Sequence, residues 1–358
     1  MAVKKKDRIG VFGGTFDPVH TGHLVFAEAA REQADLLSVL FMPAHIQPFK
    51  QDGDTLPDDD RLRMLRLATA DNPFFGVTTI ETEKGGVSYT IDSLQRLARG
   101  FPGKKICFIV GTDMFLNIEK WKKAETLLEK FDLIVGARPG YDSEAAQKTA
   151  KRIRKKHGTR IDFIENPEIE LSSTDIRKRI KCGETIRYRV PESVRRYLLV
   201  MNKVGEKRFE HTKRVIDLAV EMAKKFGVNE YKTALAALLH DYCKDPEGGI
   251  NNDVNHGAMA ADAVSVDFGI NDEDVLNAIR YHTTGRAGMS RLERIIFLAD
   301  TVEPGRTYNS ITQLRETCLD DLDSGTYTVL VELKKYLKQK GLKVSKDTEA
   351  AIKEGVVG

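Results

Sequence analysis

At 358 residues the chain is longer than one hydrophobic core usually spans, so two domains are expected, each large enough to bury a core. Lys and Arg (56) nearly balance Asp and Glu (53), and a formal net charge of +3 argues against a general nucleic-acid binder. The opening MAVKKKDRIG lacks the apolar region and cleavage site of a signal peptide, no apolar run has the length of a membrane span, and the four cysteines (Cys107, Cys182, Cys243, Cys318) form no C-x-x-C pair, so a reduced cytoplasmic protein without membrane association is expected.

The first apolar β-type run, RIGVFG (8–13), stops at glycines; LLSVLFMP (36–43), KICFIVG (105–111) and FDLIVGAR (131–138) share its character. Helical patterns lie between them in HLVFAEAAREQA, DDDRLRMLRLATA and TIDSLQRLARG. Strands alternating with helices predict an α/β domain with a parallel, doubly wound sheet. The basic run KTAKRIRKKHGTR (148–160) has no interleaved aromatics and reads as a solvated helix face, so no nucleic-acid partner is expected. From about Glu206 the spacing is helical throughout, in HTKRVIDLAVEMAKKFG, YKTALAALLHDYCKD, GAMAADAVSVDFG, EDVLNAIRYHT, SRLERIIFLADTV and GTYTVLVELKKYLKQKG. This predicts a second, all-α domain. The polar stretch MNKVGEKRF (201–209) marks the boundary, giving domains of 1–203 and 204–358.

The segment GGTFDPVHTGHL follows the first strand. Its glycines allow close backbone approach to a phosphate, and His20 and His23 share one face at a helix start beside free N–H groups that favour anions. Two imidazoles there can stabilise charge developing on a phosphate. The segment resembles the nucleotidyltransferase superfamily marked by H-x-G-H, here His20-Thr21-Gly22-His23. Its second signature, I-S-S-T-x-I-R, reads LSSTDIR from Leu171 to Arg177. The resemblance implies a Rossmann-like fold and an ATP site built from Gly13, Gly14, Thr15, Phe16, Gly111, Asp113, Ser172, Ser173, Thr174, Ile176 and Arg177. MPAHIQPFK (42–50), SYTIDSL (88–94), FIVGTDMF with Trp121 downstream, GARPG (136–140) and RYRVPESVRRYLL (187–199) narrow the likeness to the nicotinate-mononucleotide adenylyltransferases. The implied substrates are ATP and nicotinate mononucleotide, the latter met by Thr90, Trp121 and Arg138. Catalysis would be positioning and charge stabilisation by His20, His23, Lys50, Arg177 and Mg2+. The family places histidine before the lysine, whereas this chain has Phe49. Phosphopantetheine or a glycerol phosphate is the competing acceptor.

In the α-domain His211, His240-Asp241, His256, His282 and Asp300 recur on different helices. His240 ends the apolar run ALAALL and Asp300 ends RIIFLAD, so both emerge from buried helices, and a metal satisfies several such groups at once. The order H…HD…D is that of the HD phosphohydrolases. The resemblance implies His211, His240, Asp241 and Asp300 as metal ligands, with Asp241 also counted catalytic. HDYCKD, HGAMAA, YHTTG and ADTVEPGR resemble the bacterial branch that splits diadenosine tetraphosphate into two ADP, in which the metal is typically iron. Manganese or another divalent ion, in a mononuclear or dinuclear site, stays open. His256 and His282 either lie beside the polyphosphate or complete a second metal site, while Arg208, Lys244, Thr283 and Arg306 are expected to contact phosphates. The linker PEGGINNDV is short for this branch. A different nucleotide phosphohydrolase, or a sensor that binds without cleaving, is the competing reading, and a homo-oligomer remains compatible with the sequence.

Overall fold

The computed structural model describes residues 7–45, 55–86, 88–136, 143–165, 169–244, 255–308 and 310–355. Lys50 and Arg138 lie outside the described residues, as do Phe49 and the linker PEGGINNDV. The chain divides into two compact units, Met1–Arg195 and Arg196–Gly358. The division falls within one helix, Glu192–Val204, whose last four residues belong to the polar stretch that suggests a boundary in the sequence.

In the first unit the strands are β1 (Arg8–Gly14), β2 (Ser38–Pro43), β3 (Phe75–Val77), β4 (Lys105–Gly111), β5 (Asp132–Gly136) and β6 (Ile161–Ile164). Helices α1 (Thr21–Gln33), α2 (Asp58–Thr69), α3 (Thr90–Gly100), α4 (Thr112–Phe115), α5 (Ala124–Lys130), α6 (Ser143–His157) and α7 (Ser173–Lys181) alternate with them. Every pairing is parallel and the order is β3-β2-β1-β4-β5-β6, so the expected doubly wound sheet is present. Chain direction across the sheet reverses between β1 and β4, the switch point at which such sheets bind ligands. The β1–β4 pairing ends at Phe12↔Ile109, whereas β1 stays paired with β2 to Gly14↔Pro43. The two central strands therefore part at Gly13.

The interior is held by Val11, Phe41, Ile109, Leu133 and Ile134, all fully buried as expected of strands covered on both faces. Gly136, at the end of β5, leaves room for α1: a Cβ there would lie 1.9 Å from the Phe26 ring. The basic helix α6 buries Ala146, Thr149, Ala150 and Ile153 and pairs Lys148, Arg152 and Lys156 with acidic neighbours.

Helix α8 (Glu192–Val204) leads into α9 (Glu206–Phe226), α10 (Glu230–Leu239), α11 (His256–Phe268), α12 (Glu273–Arg280), α13 (Arg291–Val302), α14 (Ile311–Asp320), α15 (Leu322–Gln339) and α16 (Lys346–Gly355). The second unit is thus all helical, as the spacing predicts. Helix α13 lies at its heart, with Ile295, Ile296, Phe297, Leu298, Ala299 and Val302 buried and a Ser290–Glu293 capping box fixing its start. Among the described residues no helix is long and apolar enough to cross a membrane.

Candidate functional sites

In the first unit the turn after β1 places Phe16 in the left-handed region, φ 52°, with its ring packed on Gly14; a Cβ on Gly14 would lie 2.9 Å from that ring. His20 then caps α1. Its Nδ1 accepts from the His23 N–H at 3.3 Å, and His23 Nδ1 accepts from the His20 N–H at 3.2 Å, a reciprocal box made by two imidazoles. The rings stack with centroids 3.6 Å apart. The expectation of free N–H groups at this helix start is narrowed, since two of them are engaged: Thr21 donates to Arg189 O at 2.9 Å and His23 to His20. Closing the box uses amides that an anion would otherwise meet, so imidazole nitrogens carry more of the polar character of this turn.

The second signature folds against the first. Ser172 caps α7 by accepting from Asp175 N–H, Ser173 Oγ donates to Pro18 O at 2.9 Å, and Arg177 Nη1 donates to Asp17 O at 2.6 Å. The Arg177 guanidinium also lies 3.4 Å from the buried Asp17 carboxylate. Ile176 is buried beneath, while Ser172 and Thr174 are exposed. Segments about 150 residues apart in sequence thus share one corner. Gly111 precedes α4, and Asp113 lies in the first turn of that helix.

A cavity of about 400 Å³ opens where β1 and β4 part. Gly13, Gly14, Thr90 and Trp121 line it, so residues expected at the ATP and mononucleotide sites meet there. The Trp121 ring stands edge-on to Phe108 at 6.0 Å. His20, His23, Gly111, Asp113 and Arg177 are not among its lining residues.

Sequence reasoning missed three residues of this region. Ser88 Oγ is buried without a hydrogen-bond partner on the cavity wall, although its motif was visible as SYTIDSL. Glu81 also lines the cavity; burial pushes its carboxyl above the usual range, opposed by a hydrogen bond from Ser93 at 2.6 Å. Arg61 is fully buried, donates to Thr15 O at 2.7 Å and Leu56 O at 3.1 Å, and pairs with Asp58. Its only sequence signal was an arginine on the apolar side of α2.

In the second unit the expected ligands converge. His211 Nε2 lies 3.0 Å from Asp300 Oδ1; His240 Nε2 lies 3.4 Å from Asp241 Oδ2 and 3.9 Å from Asp300 Oδ1. Two groups can each hold an ion: His211, His240 and Asp300, and His240, Asp241 and His282. His256 adjoins the second, with Nε2 3.2 Å from Asp241 Oδ1 and 2.9 Å from His282 Nε2. The buried atoms His211 Nε2, His240 Nε2 and Asp241 Oδ1 make no hydrogen bond and meet the ion-pair approaches just given, which a shared divalent cation would satisfy together. The imidazole and carboxylate donors suit Fe, Mn, Zn or Mg. Burial pushes the Asp241 carboxyl up, but the charge of His240 and the nearness of His256 and His282 hold it well below the usual range.

The expected phosphate contacts sit against these carboxylates. Arg208 lies 3.2 Å and Lys244 3.5 Å from Asp241, while Arg306 lies 3.0 Å from Asp300 and also donates to its carbonyl. Thr283 Oγ1 is buried without a hydrogen-bond partner. Glu303, absent from the sequence reading, is buried and hydrogen-bonded to His211; ADTVEPGR contained the signal, four residues after a ligand aspartate's alanine.

The cytidylyltransferase-like family model matches residues 11–179, and the HD domain model matches residues 208–305. A Thermoanaerobacter sp. (strain X514) protein named "Probable nicotinate-nucleotide adenylyltransferase" is 40% identical over 197 residues, covering 55% of this chain and 93% of that protein. A Moorella thermoacetica protein of the same name is 40% identical over 197 residues, 55% of this chain and 91% of its own. A solved Clostridium acetobutylicum structure, described as a "predicted HD superfamily hydrolase involved in NAD metabolism", is 33% identical and covers 45% of this chain and 95% of its own, with a TM-score of 0.42. With the H-x-G-H and SSTDIR segments folded together at a switch point, the identity and coverage of the two curated relatives make the chain a member of the nicotinate-nucleotide adenylyltransferase family, and its residues 208–305 add a match to the HD domain.

Proposed function

We propose that the first unit transfers adenylate from ATP to nicotinate mononucleotide, giving deamido-NAD and pyrophosphate. The cavity joining Gly13 and Gly14 to Thr90 and Trp121 carries this reading, because it sets a glycine-rich phosphate turn beside an aromatic platform. The mononucleotide phosphate, already ionised, attacks the α-phosphorus of ATP in line as pyrophosphate leaves. Trp121 stacks on the pyridine ring and Thr90 lies at the same wall. His20 and His23 stabilise charge on the phosphates, Arg177 engages the leaving pyrophosphate, and Lys50 and Arg138 add positive charge. Mg2+ supplies neutralisation of the polyphosphate when bound.

For the second unit the reading is metal-dependent hydrolysis of diadenosine tetraphosphate to two ADP. The buried nitrogen and oxygen atoms of His211, His240 and Asp241, crowded together without hydrogen bonds of their own, support it. A bound divalent ion supplies Lewis acidity, lowering the pKa of water and neutralising phosphate charge. Asp241 and Asp300 hold the anionic side of the site; Arg208, Lys244 and Arg306 bring cations to a polyphosphate, and Thr283 a hydroxyl.

The whole protein should release pyrophosphate with nicotinate mononucleotide in preference to its amide or phosphopantetheine. It should also yield ADP from diadenosine tetraphosphate when loaded with iron or manganese. His23→Ala should abolish the first activity and spare the second, and Asp241→Ala the reverse. Indifference to nicotinate mononucleotide overturns the first assignment; absence of ADP under every metal overturns the second and leaves the HD domain a sensor.

A further inference from the structure

His211, His240 and His282 are held in different ways at their outer nitrogens. His240 Nδ1 lies 2.7 Å from Ala237 O and His282 Nδ1 2.7 Å from Ile279 O, both neutral backbone carbonyls. His211 Nδ1 instead lies 3.1 Å from the Glu303 carboxylate. His211 thus stands between two carboxylates, Glu303 at Nδ1 and Asp300 3.0 Å from Nε2; with a cation shared between Nε2 and Asp300, the ring's proton belongs on Nδ1, where Glu303 accepts it. The support behind Glu303 is dense. Arg214 Nε donates to Glu303 Oε2 at 2.6 Å, the Gly305 N–H contacts the same oxygen, and Arg315 Nη2 donates to Glu303 O at 3.0 Å. A Cβ on Gly305 would lie 2.5 Å from Arg214 Nε, so the guanidinium rests directly over this glycine. Glu303 itself is 1% exposed.

We propose that Glu303 is a positioning residue for the HD site: it locks His211 in the Nδ1–H tautomer and adds negative charge behind that ligand, with Arg214 and Gly305 holding it in place. The proposal rests on the reading of His211 as a metal ligand. A charged partner raises the basicity of the ring it holds, whereas a carbonyl only orients it. His211 is therefore the ligand whose grip depends on charge beyond the metal's immediate neighbours.

The test uses the full chain, stripped of metal and titrated with Mn2+ against a chelating dye, as wild type and as Glu303→Gln. Glutamine keeps the size and can still accept from Nδ1–H, so it removes the charge alone. The expected result is Mn2+ affinity about 10- to 100-fold weaker in the variant, with the melting temperature of the metal-free protein little changed. Equal affinity in both proteins overturns the proposal. Failure of the wild type to take up Mn2+ overturns the metal reading itself and this proposal with it, a distinct outcome. Should the variant not fold, imidazole nitrogen NMR of the Zn2+-loaded wild type decides: an Nδ1–H on His211 supports the proposal, and an Nε2–H overturns it.

Discussion

With Nδ1 of both His20 and His23 accepting a backbone N–H, each neutral ring carries its proton on Nε2. The capping box and the proposed chemistry therefore use opposite edges of the same rings. That separation predicts how His20→Asn should behave. Asparagine is among the best helix caps, so the melting temperature should move little, a change within about 0.5 kcal/mol. Adenylyl transfer should nevertheless fall about 100-fold or more, the scale of losing one donor to developing charge. Parallel loss of stability and rate would mean that the ring does no more than cap. The sequence made both uses visible, since H-x-G-H was legible as a motif and as a helix start. It did not show that the Thr21 amide was already taken, because its acceptor, Arg189 O, lies 168 residues away.

Strands and helices differ in how plainly the chain announces them. β1, β2, β4 and β5 are buried on both faces and stand out as unbroken apolar runs. β3 and β6 form the two edges of the sheet and run for three and four residues, with half-buried side chains that break the pattern, so neither was legible. Among the helices, α16 buries only Thr348 and Ala351 and gives little apolar spacing to read, whereas α14 has Ile311, Leu314 and Cys318 at helical spacing and was passed over. Arg61 shows the same limit inside a recognised element. DDDRLRMLRLATA reads as an amphipathic helix, yet one of its arginines is fully buried beneath the phosphate turn rather than in solvent. Its value lies in satisfying the Thr15 and Leu56 carbonyls together with Asp58. Arg61→Met should therefore cost about 3–5 kcal/mol, the penalty for removing one partner of a buried charged network. Urea unfolding monitored at Trp121, which belongs to the same unit, would measure it; a change under about 1 kcal/mol would show that water replaces the guanidinium freely.

On the scale of the whole molecule, composition and spacing foretold two units of contrasting architecture, a parallel sheet with helices followed by a helical unit. What lay beyond reading was which ligand the two groups share. The sequence offered His211, His240, Asp241 and Asp300 as one set and left open whether His256 and His282 complete a second site; the fold distributes the four over two groups, with His282 in the second. Chain order cannot reveal this, because helices α9, α10, α12 and α13 bring their ends together only after packing. His240 belongs to both groups, and an imidazole nitrogen has a single lone pair to give. Two cations cannot each take it. The protein should accordingly show unequal stoichiometric steps in a calorimetric Mn2+ titration, one ion bound tightly and the next, deprived of that nitrogen, bound more weakly. Two equivalents of matching affinity would mean that the helices rearrange to free a further donor.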